Sequence, residues 1–137
     1  MNPFRRLSPS QRTTLNWALV VVWGAVIWMF SSIPDLRSGF EQDFILRKLA
    51  HGLEFAVLVI LIFRALPVPL RSRWQRYGLA ALLAVAYAAV DEIHQGYVPG
   101  REPAVRDVAI DALGVTLGLA SILLAYTWLR SRSAEAK

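Results

Sequence analysis

Two segments of the chain set a histidine three residues from a carboxylate: Lys48-x-x-His51-x-x-Glu54 and Asp91-Glu92-Ile93-His94-Gln95. An imidazole of ordinary pKa, ~6.5, takes and returns a proton near neutrality. His94 with Asp91, and His51 with Glu54, are therefore candidate pairs of general base and orienting carboxylate, with Glu92 alongside. A third cluster, Arg101, Arg106, Asp107 and Asp111, adds binding chemistry. Arginine offers a bidentate fork to phosphate or pyrophosphate and lysine a compact charge, so Arg101, Arg106, Lys48 and the adjacent Arg47 suit an anion. Gln95 reads as a hydrogen-bonding spacer beside it. The donors of His51, His94, Glu92, Asp107 and Asp111 include enough N and O atoms for a divalent metal, but no H-E-x-x-H motif is present and no metal site is assigned. There are no cysteines, which removes thiolate chemistry and disulfides. No G-x-S-x-G element occurs, so Ser31, Ser32 and Ser38 carry no nucleophile signature.

These residues sit at the ends of apolar runs. The chain has 137 residues, 55% hydrophobic and 18% charged, with positive mean hydropathy, too apolar for a soluble domain of this size. Four runs stand out: Thr13 to Phe30, Leu49 to Leu66, Tyr77 to Val90 and Val108 to Leu129. They are continuous and do not alternate with period two, which predicts an all-α integral membrane protein, a bundle of four transmembrane helices, and not a barrel. Arg5, Arg6 and Arg12 before the first run resemble a signal peptide, but the run exceeds the usual ~7–15-residue core and no A-x-A-like site follows. Pro67-Val68-Pro69 ends the second run. The expected division is an amino tail over 1–12, a four-helix membrane domain over 13–129 and a carboxyl tail over 130–137, with Met1 to Gln11 and Ser131 to Lys137 read as disordered ends.

Orientation follows from the basic residues. Arg5, Arg6, Arg12, Arg64, Arg71, Arg73, Arg76, Arg130, Arg132 and Lys137 fall in the two tails and the middle loop, ten against the five of the other two connections. The positive-inside rule then makes both termini and the middle loop cytoplasmic. The net charge of +5 is sorted by loop, which argues for topology and against nucleic-acid binding. Asp35, Glu41 and Asp43 make the first outer loop acidic.

With an even number of spans, the start of the second helix, the end of the third and the start of the fourth share one membrane level. Lys48, His51 and Glu54 lie on one helix face. Asp91 with His94, and Glu92 with Gln95, pair at the end of the third. Asp107, Asp111, Gly114, Gly118 and Ser121 form one stripe on the fourth, whose glycines would let a neighbour approach and draw Asp111 inward. Pro99-Gly100 predicts a tight turn. Phe55 reads as core or lipid-facing, and Tyr87, Tyr97 and the tryptophans as interface and packing residues.

Lys48-x-x-His51-x-x-Glu54-Phe55, the block Asp91-Glu92-Ile93-His94-Gln95-Gly96-Tyr97-Val98-Pro99-Gly100-Arg101, and Asp107-x-x-x-Asp111-x-x-Gly114-x-x-x-Gly118 resemble the VanZ-like family. These are small multi-span bacterial membrane proteins named for a member associated with low-level resistance to the glycopeptide teicoplanin. The resemblance covers about residues 30 to 120 and departs from the family pattern at Asp111, where many relatives carry Asn. It implies a role in the envelope without naming a reaction.

Three functions are compatible with the cluster. The polar network could fix helix register alone. It could bind an anionic envelope lipid or lipid-linked cell-wall precursor, with the apolar grooves taking its chains. Or it could hydrolyse or transfer a group on such a lipid, with His94, Asp91, Glu92, His51 and Glu54 catalytic and Lys48, Gln95, Arg101, Arg106, Asp107 and Asp111 holding the substrate. No cofactor is assigned, and homo-oligomerisation is left open.

Overall fold

The computed structural model of the protein describes residues 8–34, 43–66, 72–101 and 104–135. Asp35, Arg37, Ser38, Glu41, Pro67 to Pro69, Arg71, Glu102, Lys137 and the amino-terminal Arg5 and Arg6 lie outside the described residues, as does the side chain of Asp43. The described chain is four helices, α1 (Pro9–Ser31), α2 (Asp43–Ala65), α3 (Arg73–Gln95) and α4 (Val105–Glu135).

Three of them, α1, α3 and α4, are long and apolar enough to cross a membrane. At 1.5 Å per residue even a 23-residue helix reaches roughly 34 Å, past the ~30 Å of hydrocarbon. α2 is equally long, but Arg47, Lys48, Glu54 and Arg64 interrupt its apolar sequence. Large apolar side chains lie on the outside of the bundle, among them Val21, Leu82, Leu113 and Leu117. In water such a surface would aggregate, whereas lipid solvates it. The chain is a membrane protein.

Local signals account for the helix ends. Ser8 caps α1 by accepting from the Gln11 amide while Gln11 returns a bond to the Ser8 amide, and Ser72 and Gln75 do the same for α3. Pro9 supplies a first helical residue needing no amide partner. This box starts α1 within the stretch read from sequence as a disordered tail, so Pro9 to Gln11 are helical. The other end needs the same correction. α4 runs on to Glu135, and Ser131 and Ser133 fold their hydroxyls back onto the carbonyls of Trp128 and Leu129. α3 likewise extends beyond the predicted Tyr77 to Val90 at both ends.

α2 and α4 share the most extensive contact, α1 touches α3 only lightly, and α1 and α4 do not meet among the described residues. A β-carbon on Gly114 would collide with the Gly52 carbonyl, and one on Gly118 would come within 2.6 Å of the Ala56 carbonyl oxygen. Small residues thus let the two backbones meet. α3 presents Ala80, Ala84 and Ala88, all fully buried, to a core built on Ile27, Phe55, Leu58, Val59, Ile62 and Val115. Phe55 belongs to this core.

Candidate functional site

The core is apolar except at one end. The buried polar side chains Ser31, Asp91, Glu92, Gln95 and Asp111 all fall where α1 and α3 finish and α4 begins, beside the first turns of α2. Burying such groups is expensive unless they are paired, and the pairing assembles the site.

On α3 the alanine face continues into Asp91 and Gln95, one turn apart. Asp91 Oδ2 accepts from the Ser31 hydroxyl of α1 at 2.7 Å and from Gln95 Nε2 at 2.8 Å. Gln95 Oε1 in turn accepts from Arg101 Nη1 at 3.1 Å, and Arg101 Nη2 reaches the carbonyls of Phe30 in α1, at 3.0 Å, and of Ile33 just beyond it. One chain of hydrogen bonds therefore ties α1, α3 and the loop after α3. The turn that delivers Arg101 closes with its amide on the Val98 carbonyl at 3.1 Å, with Pro99 second and Gly100 third at φ 78°. That is the expected turn, and its third position favours glycine. Burial, with the Arg47 guanidinium nearby, draws the Arg101 pKa below the usual range.

On α2, Lys48 pairs with Asp107 of α4, and His51 Nδ1 lies 3.7 Å from Asp111 Oδ1. Asp107 also faces Arg106 at 3.7 Å. Glu92 accepts from the Ala104 amide and so caps the start of α4 from across the loop.

Between these elements is a cavity of about 330 Å³. α2 contributes Arg47, Lys48 and His51, α3 contributes Glu92 and Gln95, the turn contributes Gly100 and Arg101, and α4 contributes Arg106, Asp107, Ile110 and Asp111. Four cations and three carboxylates surround it. Asp107 Oδ1 and Asp111 Oδ1 are buried and accept no hydrogen bond from the described residues. Among the described residues no three His, Asp or Glu side chains converge as metal ligands.

Eight of the eleven residues singled out in the sequence line this cavity: Lys48, His51, Glu92, Gln95, Arg101, Arg106, Asp107 and Asp111. Asp91, His94 and Glu54 do not. The pair of His94 with Asp91 is not formed. His94 stacks on Trp28 of α1 with ring centroids 3.8 Å apart and shares a 2.9 Å hydrogen bond with Ser32, while Asp91 turns towards Ser31. Side chains three apart on a helix diverge enough to be claimed by different neighbours. His51 faces Asp111 rather than Glu54 or Glu92, because the glycine contact brings α4 against its face of α2. Glu54 does not line the cavity, and its Oε2 is buried and accepts no bond from the described residues.

The contribution of α1 was not foreseen. Trp28, Ser31 and Ser32 hold the polar end together, and Trp23 Nε1 donates to the Glu54 carbonyl at 2.9 Å. Tyr87, read from sequence as a packing residue, donates to the Gly24 carbonyl at 2.7 Å. The one sequence signal for α1 is the Ser-Ser pair closing an apolar run.

The sequence matches the VanZ/LLP1 family over residues 4–126. The chain belongs to this family. No curated protein and no solved structure matches it. Within this VanZ/LLP1 protein the family match takes in α1, α2, α3 and most of α4, and each quoted motif contributes lining to this cavity.

Proposed function

We propose that this protein spans the bacterial inner membrane four times with both termini cytoplasmic, and that its cavity opens outward to engage an anionic envelope lipid or lipid-linked cell-wall precursor, contributing to glycopeptide tolerance. The observation that carries this reading is the mixed lining of the cavity. Arg47, Lys48, Arg101 and Arg106 suit a phosphate or pyrophosphate. Asp107 Oδ1 and Asp111 Oδ1 accept no hydrogen bond from the described residues, with Arg106 and His51 each 3.7 Å away, and suit hydroxyl or amide donors of a headgroup. An amphiphile supplies both beside the apolar surface its chains need. α2 is the fourth span in this reading, its charged first turns turned to the cavity and paired with α4. His51, beside Asp111, is the cavity group suited to move a proton, and hydrolysis or transfer at a bound phosphate would use it.

A second reading has an observation of its own. Asp91 and His94 are held by Ser31, Ser32 and Trp28 and do not line the cavity, which supports a packing role for part of the polar cluster.

The test is retention of a polyprenyl phosphate against the neutral polyprenol by the full chain in nanodiscs, followed by native mass spectrometry. The phosphate is expected to be retained preferentially, and Arg106→Gln and His51→Gln to weaken it by about tenfold each, the scale of one charge-assisted hydrogen bond. Equal retention of phosphate and alcohol would remove the binding reading and leave the packing one.

A further inference from the structure

The opposite end of the bundle carries a second cleft, of about 310 Å³, between the start of α3 and the late part of α4. Its walls are Phe63, Tyr77, Ile122 and Tyr126, and its charged groups are Arg73 and Arg76, with no carboxylate among the described lining residues. Both guanidiniums stand over rings. Arg76 is 4.2 Å from the Phe63 centroid and Arg73 5.2 Å from that of Tyr126. A guanidinium held over an aromatic face by cation–π attraction spends none of its N–H donors on a hydrogen bond there, and can offer them to a planar or tetrahedral anion. Arg76 uses Nε on the Phe63 carbonyl at 2.9 Å, which leaves its two terminal nitrogens. Arg73 donates no hydrogen bond to any described residue.

Arg76 and Gln95 are separated by roughly 28 Å of helix, close to the ~30 Å thickness of hydrocarbon. The cleft therefore sits at the other membrane boundary, where phosphodiester headgroups lie above acyl chains. Its lining has both chemistries, two cations and a set of aromatic and aliphatic walls.

We propose that this cleft is a binding site for an anionic glycerophospholipid, with Arg73 and Arg76 on the phosphodiester and the first acyl carbons against Phe63, Tyr77, Ile122 and Tyr126. The basic residues at this end then do more than orient the chain. They hold one lipid at a defined seam between α3 and α4, independently of whatever occupies the first cavity.

The experiment uses the full chain in nanodiscs and phosphatidylglycerol carrying a photoreactive group near the top of one acyl chain, with adducts mapped by peptide mass spectrometry. Adducts are expected on the peptides holding Phe63, Tyr77, Ile122 and Tyr126 in excess over the outward faces of α1. Arg73→Gln should reduce them about tenfold and Arg73→Lys less, because lysine keeps the charge but lacks the fork. Arg73 is exposed and meets the Tyr126 ring without a hydrogen bond to any described residue, and an unchanged thermal unfolding midpoint for Arg73→Gln separates loss of the lipid from loss of the fold. A phosphatidylcholine probe should label this seam weakly. Labelling spread evenly over lipid-facing helices, labelling indifferent to Arg73→Gln, or equal labelling by phosphatidylcholine would overturn the proposal. Displacement of the label by millimolar inorganic phosphate would overturn the lipid as occupant in favour of a free anion.

Discussion

Gly114 of α4 lies so close to the carbonyl of Gly52 of α2 that no β-carbon fits between them. The residue before Gly52 is His51, and one helical turn before Gly114 is Asp111, so the close approach of two backbones is what faces this imidazole to this carboxylate. Packing and site are one feature here.

Gly114→Ala is accordingly expected to push α2 from α4 and cost about 3 kcal/mol or more, the upper range for overpacking, since backbone and not a movable side chain is in the way. Gly78 is the control. A β-carbon there meets nothing within 4 Å, and alanine is the better helix former, so Gly78→Ala should leave stability equal or higher. Thermal unfolding in detergent, followed by tryptophan fluorescence, reads both. Equal midpoints for the two variants would mean the helices separate without cost.

Asp91 is 1% exposed and holds a hydroxyl and an amide at once. Asp91→Ala leaves both donors buried without an acceptor, at about 1–3 kcal/mol each, whereas Asp91→Asn keeps one acceptor oxygen. The alanine variant should be the less stable of the two in the same unfolding assay. An alanine variant as stable as the parent would show that Ser31 and Gln95 find other partners.

The two histidines should separate by function. His94→Ala removes a ring stack worth about 0.5–1.5 kcal/mol and one hydrogen bond, and is expected to lower the unfolding midpoint while polyprenyl phosphate retention holds. His51→Ala should show the reverse emphasis, with retention falling more than stability. If His94→Ala abolished retention in protein that remained folded, the assignment of roles would be inverted.

Arg101 spans from Gln95 to the carbonyls of Phe30 in α1 and of Ile33 just beyond it, and only a planar fork reaches several acceptors together. Arg101→Lys is therefore expected to loosen the end of α1 nearly as much as Arg101→Ala. Hydrogen exchange of the amides of Ser32 and Ile33, protected in the parent by bonds to Trp28, Met29 and Phe30, should accelerate in both variants. Full protection in the lysine variant would mean that charge alone secures the strap.

The sequence by itself determined the helical class, the family, the turn at Pro99-Gly100 and the level at which three motifs meet. Continuous apolar runs admit few other structures in lipid, and packing successive helices side by side brings the start of α2, the end of α3 and the start of α4 together. It also exposed the glycine stripe and most of the cavity lining. What only the tertiary structure decided is which polar group faces which. Spacing along one helix places His94 near Asp91 and His51 near Glu54, yet each was taken by a side chain from another helix: Ser32 and Trp28 for His94, Ser31 for Asp91, Asp111 for His51. The physical reason is that a buried polar group is satisfied by whatever donor or acceptor the neighbouring helix presents, and rotation of one helix against another, set here by Gly52 and Gly114, leaves no mark on the periodicity of either.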